Sequence, residues 1–220
     1  MNCDPVAPFY RTMEYVVFGR ALERARFRFL DAGKEASTAL IIADGDGRFT
    51  AALLRTCAHL QAESIDIRRK MLALAQRRLD KFGLQSRVRL RQSDIRICPL
   101  PAQFDFIATH FLFDFLSATE LSALITRISQ AAQSHSTWIV SEFAIPSSGW
   151  RRLCAGWLIR IMYVFFRISV GLKTQNLPNW HEPMEHQGFR LRERIKARGG
   201  LIVSELWTRS LVNEQVSNES

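Results

Sequence analysis

The chain has 220 residues, of which 47% are hydrophobic and 23% charged, and its formal net charge is +9. That length carries one full hydrophobic core with room for a small appendage, and the apolar share excludes an intrinsically disordered chain. The basic balance admits nucleic acid, an anionic membrane surface, an acidic substrate or a plain solvated cationic surface, but no Lys/Arg block alternates with aromatics as a nucleic-acid module requires.

The first helical block is read over residues 9 to 31, where Tyr15, Phe18, Leu22, Ala25 and Phe29 repeat every three or four positions. The N-terminus carries Asp4, Arg11 and Glu14 and lacks an apolar signal core, so export is not expected. The polar linker "DAGKEAS" follows, and residues 1–36 are expected to form an N-terminal helical cap. Cys3, Cys57, Cys98 and Cys154 lie far apart with no CxxC pair. They read as reduced thiols in a cytoplasmic protein, with no metal site.

From residue 38 strands and helices alternate. "TALIIA" is a strand that breaks into "DGDG", and Phe49, Ala52, Leu53, Thr56 and Leu60 then take helical spacing. "AESID" is a second strand, ending at Asp66. Met71, Leu74, Ala75, Leu79 and Phe82 make a helix stopped by Gly83. "RVRLRQ" and "FDFIATH" are the third and fourth strands. Leu121, Leu124, Ile125 and Ile128 mark the next helix, and "STWIVSEFAI" is a fifth strand ended by Pro146. Such alternation implies βαβ units and a parallel sheet. "FRLRERIKA" and "GLIVSELWTR", joined by Gly199 and Gly200, read instead as an antiparallel hairpin. The fold class is therefore α/β, with five parallel strands followed by an antiparallel pair. The main domain is expected over 37–212, with 147–187 as a helical insertion on the substrate side and 213–220 as a flexible tail.

In an open α/β sheet, ligands bind at the carboxyl ends of the strands near the switch point. Three features fall there. The loop Ala43-Asp44-Gly45-Asp46-Gly47 lets a ligand approach the backbone and the free N–H groups of the next helix. Asp66 ends the second strand, where a carboxylate can take both hydroxyls of a ribose. Asp94, in "QSDI", follows the third strand, where an acceptor can meet an adenine amino group. Each has a plainer reading, as a turn or a helix cap. A nicotinamide dinucleotide is disfavoured, because the G-x-G-x-x-G spacing ends on Thr50 when started at Gly45 and on Arg48 when started at Ala43.

Over roughly residues 38 to 210 these motifs resemble the class I S-adenosylmethionine-dependent methyltransferases of the small-molecule type. "ALIIADGDGRF" is similar to their glycine loop, "SIDI" to their ribose-binding strand end, and "RQSDI" to their adenine-contacting segment. "FDFIATHFLFDFLSATEL" resembles their fourth strand and following helix. The resemblance implies a Rossmann-like three-layer sandwich with a seven-stranded sheet in the order 3-2-1-4-5-7-6. It implies S-adenosylmethionine as cofactor, with Ala43, Asp44, Gly45 and Gly47 at the methionine portion and Asp66 at the ribose. Ile67 would pack on the adenine face, Ser93, Asp94 and Ile95 would bound the adenine, and His110 would close the site. The family pattern opens with an acid, a spacer and a glycine, whereas this chain has Ile41, Ile42 and Ala43. The acid normally helps hold the cofactor amino group, so a catalytically inactive binding or scaffold protein is the alternative reading.

On the acceptor side, methyl transfer to a hydroxyl, amine or acidic carbon needs a general base. His110 and, four residues on, Asp114 are the expected catalytic pair, although an isolated histidine at a strand end is often structural. Tyr10 and Tyr15 are placed to cover the pocket. His181, Glu182 and His186 lie before the hairpin, in a segment that Pro183 is expected to keep from being helical, and their spacing does not match a zinc motif. Residues 151–172 are strongly apolar, with Arg151, Arg152, Arg160 and Arg167 at an edge. A full membrane span would place arginines in lipid at about 2.5–3.5 kcal/mol each, so an interfacial or lid helix is expected, beside the plainer core helix with snorkelling arginines. The expected acceptor is thus a small hydrophobic molecule, with peripheral contact to an anionic membrane. A nucleic-acid acceptor is not expected, since "THFLFD" stands where such enzymes carry N/D-P-P-Y/F.

Overall fold

The computed structural model describes residues 20–100, 103–144 and 179–210. Residues 9–19 of the expected first helix, Tyr10 and Tyr15, the apolar stretch 151–172 and the tail 213–220 lie outside them. So do Cys3 and Cys154.

The strands are β1 (Thr38–Ile42), β2 (Gln61–Asp66), β3 (Val88–Gln92), β4 (Phe104–His110), β5 (Ala132–Phe143), β6 (Arg190–Ala197) and β7 (Ile202–Arg209). The helices are α1 (Ala21–Arg26), α2 (Arg48–Thr56), α3 (Arg69–Lys81), α4 (Ala118–Ala131) and α5 (His181–His186). The strands form one seven-stranded sheet in the order β3-β2-β1-β4-β5-β7-β6. β1 to β5 run parallel, and β7 is antiparallel to both β5 and β6. This is the expected architecture and strand order. The order reverses between β1 and β4, which opens a crevice above their carboxyl ends.

The apolar run of β1 is continuous because both faces of the sheet are covered. Ala39 and Ile41 pack with Phe49, Leu53 and Leu54 of α2 and Leu79 of α3. Leu40 and Ile42 pack on the opposite face with Leu121, Leu124 and Ile125 of α4 and Met184 of α5. Helix α4 opens on a reciprocal cap: Ser117 Oγ accepts from the Glu120 N–H, while Glu120 Oε2 accepts from the Ser117 N–H at 2.9 Å.

Two expectations are corrected. The first helical block does not continue to residue 31, because α1 ends at Arg26 and a 3-10 turn takes Leu30–Gly33. Gly33 seats there so tightly that an added Cβ would lie 2.5 Å from Leu53 Cδ1. Pro183 does not keep its segment from being helical either. It occupies the first turn of α5, where no intrahelical partner for its missing N–H is needed.

Arginines hold many of the chain reversals. Arg87 donates to the carbonyls of Leu54, Cys57 and Ala58 at 2.6–2.8 Å, closing the end of α2. Arg209 donates to those of Ser129, Ala132 and Gln133 at the end of α4. Arg127 reaches the carbonyls of Ile95, Arg96 and Cys98, pinning the turn after β3.

Candidate active site at the carboxyl edge of the sheet

The loop after β1 keeps a left-handed backbone at Ala43 (φ 61°), Gly45 (φ 72°) and Gly47 (φ 74°). Glycine adopts this region freely, whereas alanine does so against strain. Ala43 donates its N–H to the Ile65 carbonyl at 3.0 Å, which holds the turn to β2. Gly47 is needed on a second ground, since α3 packs on it too closely to admit a side chain.

Asp44 is 2% exposed and turns its carboxylate inward. It accepts from the N–H groups of Phe49 (3.2 Å) and Thr50 (2.8 Å) and from Thr50 Oγ1 (2.7 Å), satisfying the first turn of α2. Burial pushes its pKa up, against the pull of these donors. The position expected at the methionine portion thus offers only its backbone to a ligand. Asp46 ties the loop down: its carboxylate takes Arg48 Nε at 3.0 Å and Arg78 Nη2 at 2.9 Å, and its carbonyl takes Arg78 Nε.

Asp66, 5% exposed, ends β2 beside this loop. Its Oδ1 accepts from Arg68 N (2.8 Å) and Nε (3.0 Å), and its Oδ2 from Arg68 Nη2 (2.8 Å). Asp94 repeats the arrangement with Arg96: Oδ1 takes N at 2.9 Å and Nε at 3.0 Å, and Oδ2 takes Nη2 at 2.7 Å. The Arg96 guanidinium holds the Asp94 carboxyl below its ordinary range. Ile67 is 59% exposed at the strand end, free of the core, whereas Ile95 is buried in it. Ser93 continues the edge, donating its N–H to the Asp66 carbonyl at 3.3 Å.

His110 closes β4, 1% exposed, edge-on to Phe49 with ring centroids 4.6 Å apart. Neither ring nitrogen has a hydrogen-bond partner among the described residues. Burial, reinforced by the Arg26 guanidinium, holds its pKa well below the ordinary value, so the imidazole is neutral. It shares the α2 face of the sheet with Ala108 and Phe106, two and four residues back along β4. Asp114 lies beyond β4 in the 3-10 turn Phe113–Phe115, buried, where its charge acts on Glu142 of β5. His110 and Asp114 therefore do not form a hydrogen-bonded pair.

Glu142 is a residue the sequence reading passed over. It is fully buried, and Oε1 accepts from the N–H groups of Leu112 (2.9 Å) and Phe113 (3.0 Å). Its Oε2 and Asp114 Oδ1 have no partner among the described residues. Burial raises Asp114 to about 8 and raises Glu142 well above the carboxylate range, with the Asp114 charge adding to the latter. The pair holds protons near neutral pH. Its sequence signal was an acid inside the apolar run "IVSEFAI".

His181 and His186 do not converge on this edge. His181 Nε2 meets Glu205 Oε1 at 2.9 Å, within a buried set where Glu205 also accepts from Trp180 Nε1, Trp207 Nε1 and Arg194 Nε. His186 lies 3.8 Å from Glu182 on the surface. Among the described residues no group of three or more His, Cys, Asp or Glu could hold a metal ion.

A family model described as a methyltransferase domain matches residues 39–134. No curated protein matches the chain. Among solved structures, a mitomycin 7-O-methyltransferase superposes with a TM-score of 0.68 at 17% identity, covering 94% of this chain and 59% of the other. An S-adenosylmethionine-dependent methyltransferase in its apo form gives 0.68 at 18%, covering 92% and 58%. An N-methyltransferase of Bradyrhizobium japonicum gives 0.58 at 15%, covering 95% of this chain and 99% of that one. The chain spans slightly under three fifths of the first two. The seven-stranded sheet is the Rossmann-like fold of these methyltransferases, and residues 39–134 match a methyltransferase domain.

Proposed function

We propose that the chain binds S-adenosylmethionine and passes its methyl group to a small hydrophobic acceptor. The observation that carries this reading is Ala43 at φ 61°: the backbone of the glycine loop persists although its first glycine does not. The residues fit the cofactor. Ala43, Asp44, Gly45 and Gly47 would hold its methionine portion through the backbone, and Asp66 its ribose hydroxyls. Ile67 would cover the adenine, with Ser93, Asp94 and Ile95 at its edge. When bound, the cofactor supplies an electrophilic methyl group on a sulfonium.

The chain's own contribution is orientation, which in such displacements is worth about 7–11 kcal/mol. His110 is neutral and, at the cofactor edge this reading assigns to it, would accept the acceptor's proton. Its depressed basicity favours an acidic O–H over an amine. Asp114, protonated below about pH 8, would donate a hydrogen bond rather than act as base. The hydrophobic acceptor and the anionic membrane contact rest on residues 151–172, outside the described ones. No described helix is long and apolar enough to cross a membrane. The cap over 1–36, the main domain over 37–212, the insertion over 147–187 and a cytoplasmic location belong to the same proposal.

Titration calorimetry with S-adenosylmethionine and with its demethylated product tests the cofactor assignment. Micromolar binding that Asp66→Ala abolishes is expected. No heat at millimolar ligand, or equal binding by the variant, overturns it.

The second reading is a binding protein that has lost transfer. Ile41, fully buried where the family carries its acid, favours it. Methyl turnover with any acceptor removes that reading.

A further inference from the structure

The two carboxylates at the ends of β2 and β3 sit in the same tripeptide, Asp66-Ile67-Arg68 and Asp94-Ile95-Arg96, and each is gripped by the arginine two residues on. The two arginines differ in what else they touch. Arg96 Nη1 also reaches Glu120 Oε1 at 3.0 Å, away from the strand ends. Arg68 points the other way: its Nη2 lies 3.8 Å from the place a Cβ would take on Gly45. Its guanidinium therefore bridges the gap between the end of β2 and the glycine loop.

A carboxylate offers about four lone-pair sites. Arg68 fills three of those on Asp66 with its N, Nε and Nη2. A ribose needs one site for each of two hydroxyls. With the backbone N–H and two hydroxyls in place one site is left, so at least one of the two guanidinium bonds must break. Resting on the cofactor assignment above, we propose that Arg68 is a displaceable plug of the nucleoside site. It competes with the ribose diol for Asp66 and gives way when a nucleoside's two hydroxyls reach that carboxylate.

The Arg68 side chain is 36% exposed, so its hold on Asp66 is screened and opening it is easy. A pair screened only on the arginine side corresponds to at least about a twofold change in affinity. Adenosine isolates the effect, because it is uncharged at neutral pH and carries both hydroxyls. Calorimetry should find adenosine and S-adenosylhomocysteine bound at least about twofold tighter by Arg68→Ala than by the parent chain. Arg68→Lys, which keeps the charge without the fork, should fall between them. With 2′,3′-dideoxyadenosine, which has no diol for the vacated carboxylate, parent and Arg68→Ala should bind alike. Equal or weaker adenosine binding by Arg68→Ala overturns the plug while leaving the cofactor reading intact. So does an equal gain with the dideoxy nucleoside. No binding of either adenosyl ligand by any of the three chains overturns both.

Discussion

A methyl group added at Gly47 would lie 2.7 Å from the Cβ of Ala75 and 2.8 Å from its Cα. The glycine loop and α3 are thus in backbone contact, and the loop is a packing joint before it is a ligand cradle. Gly47→Ala should cost about 2–4 kcal/mol, combining overpacking with a left-handed alanine. Gly45 has the same backbone sign but, among the described residues, only Arg68 Nη2 within reach, at 3.8 Å. Gly45→Ala should cost about 1 kcal/mol, from strain alone. Urea denaturation of the two variants separates the cases, and equal losses would refute the packing argument.

Ala43 invites the reverse substitution. Its φ of 61° is strained for alanine and unstrained for glycine. Ala43→Gly should raise stability by about 0.5–1 kcal/mol, the relief of strain outweighing the added freedom of the unfolded chain. A higher melting temperature is the readout.

Asp44 should behave as a structural group. Its carboxylate serves Phe49 N, Thr50 N and Thr50 Oγ1, all buried. Asp44→Ala should lower stability by about 2–3 kcal/mol, through cap loss and stranded donors. Ligand affinity, measured where the variant is still folded, should change little. A large affinity loss at unchanged melting temperature would reassign Asp44 to the ligand.

The Asp114–Glu142 pair gives a pH signature. Folded Asp114 keeps its proton up to about pH 8, while the unfolded chain loses it near its ordinary 3.8. Between those values the folded state binds more protons, so stability falls as pH rises, by up to about 1.4 kcal/mol per pH unit per group. Below that window both states are protonated, and this contribution is flat. Asp114→Asn should therefore flatten the decline between pH 5 and 8, and the removed charge also lightens the upward push on Glu142. Denaturation midpoints at pH 5 and 7.5 provide the comparison; an unchanged slope would mean the pair is ionised in the folded chain.

The sheet was readable because its strands obey simple patterns. β1 is a two-faced apolar run, β4 matches "FDFIATH" residue for residue, and Gly199 and Gly200 mark the hairpin. Side-chain direction at the site was not readable. Asp44 at the loop could face ligand or helix with equal local chemistry, and only the approach of Phe49 and Thr50 decides it. The Asp-Ile-Arg repeats were present in the sequence, but an arginine two residues after an aspartate folds back only if the strand ends there. His110 and Asp114, four apart, suggested one helical turn. His110 ends β4 and Asp114 sits in the 3-10 turn Phe113–Phe115, beyond the left-handed Phe111 (φ 51°), so no helical turn relates them. Glu142 was hidden because a buried strand conceals its polar member among apolar neighbours until Leu112 and Phe113 come to meet it.

The arginines that close the turns have a consequence for how the molecule looks from outside. Arg87, Arg127 and Arg209 spend their donors on main-chain oxygens, and Arg78 on Asp46. Each lies against the negative end of a helix or a bent loop, which offsets part of its local field. Exchanging these guanidiniums for lysine would preserve the arithmetic of the charge and unfasten the architecture, since one ammonium cannot reach two or three carbonyls in a fixed plane.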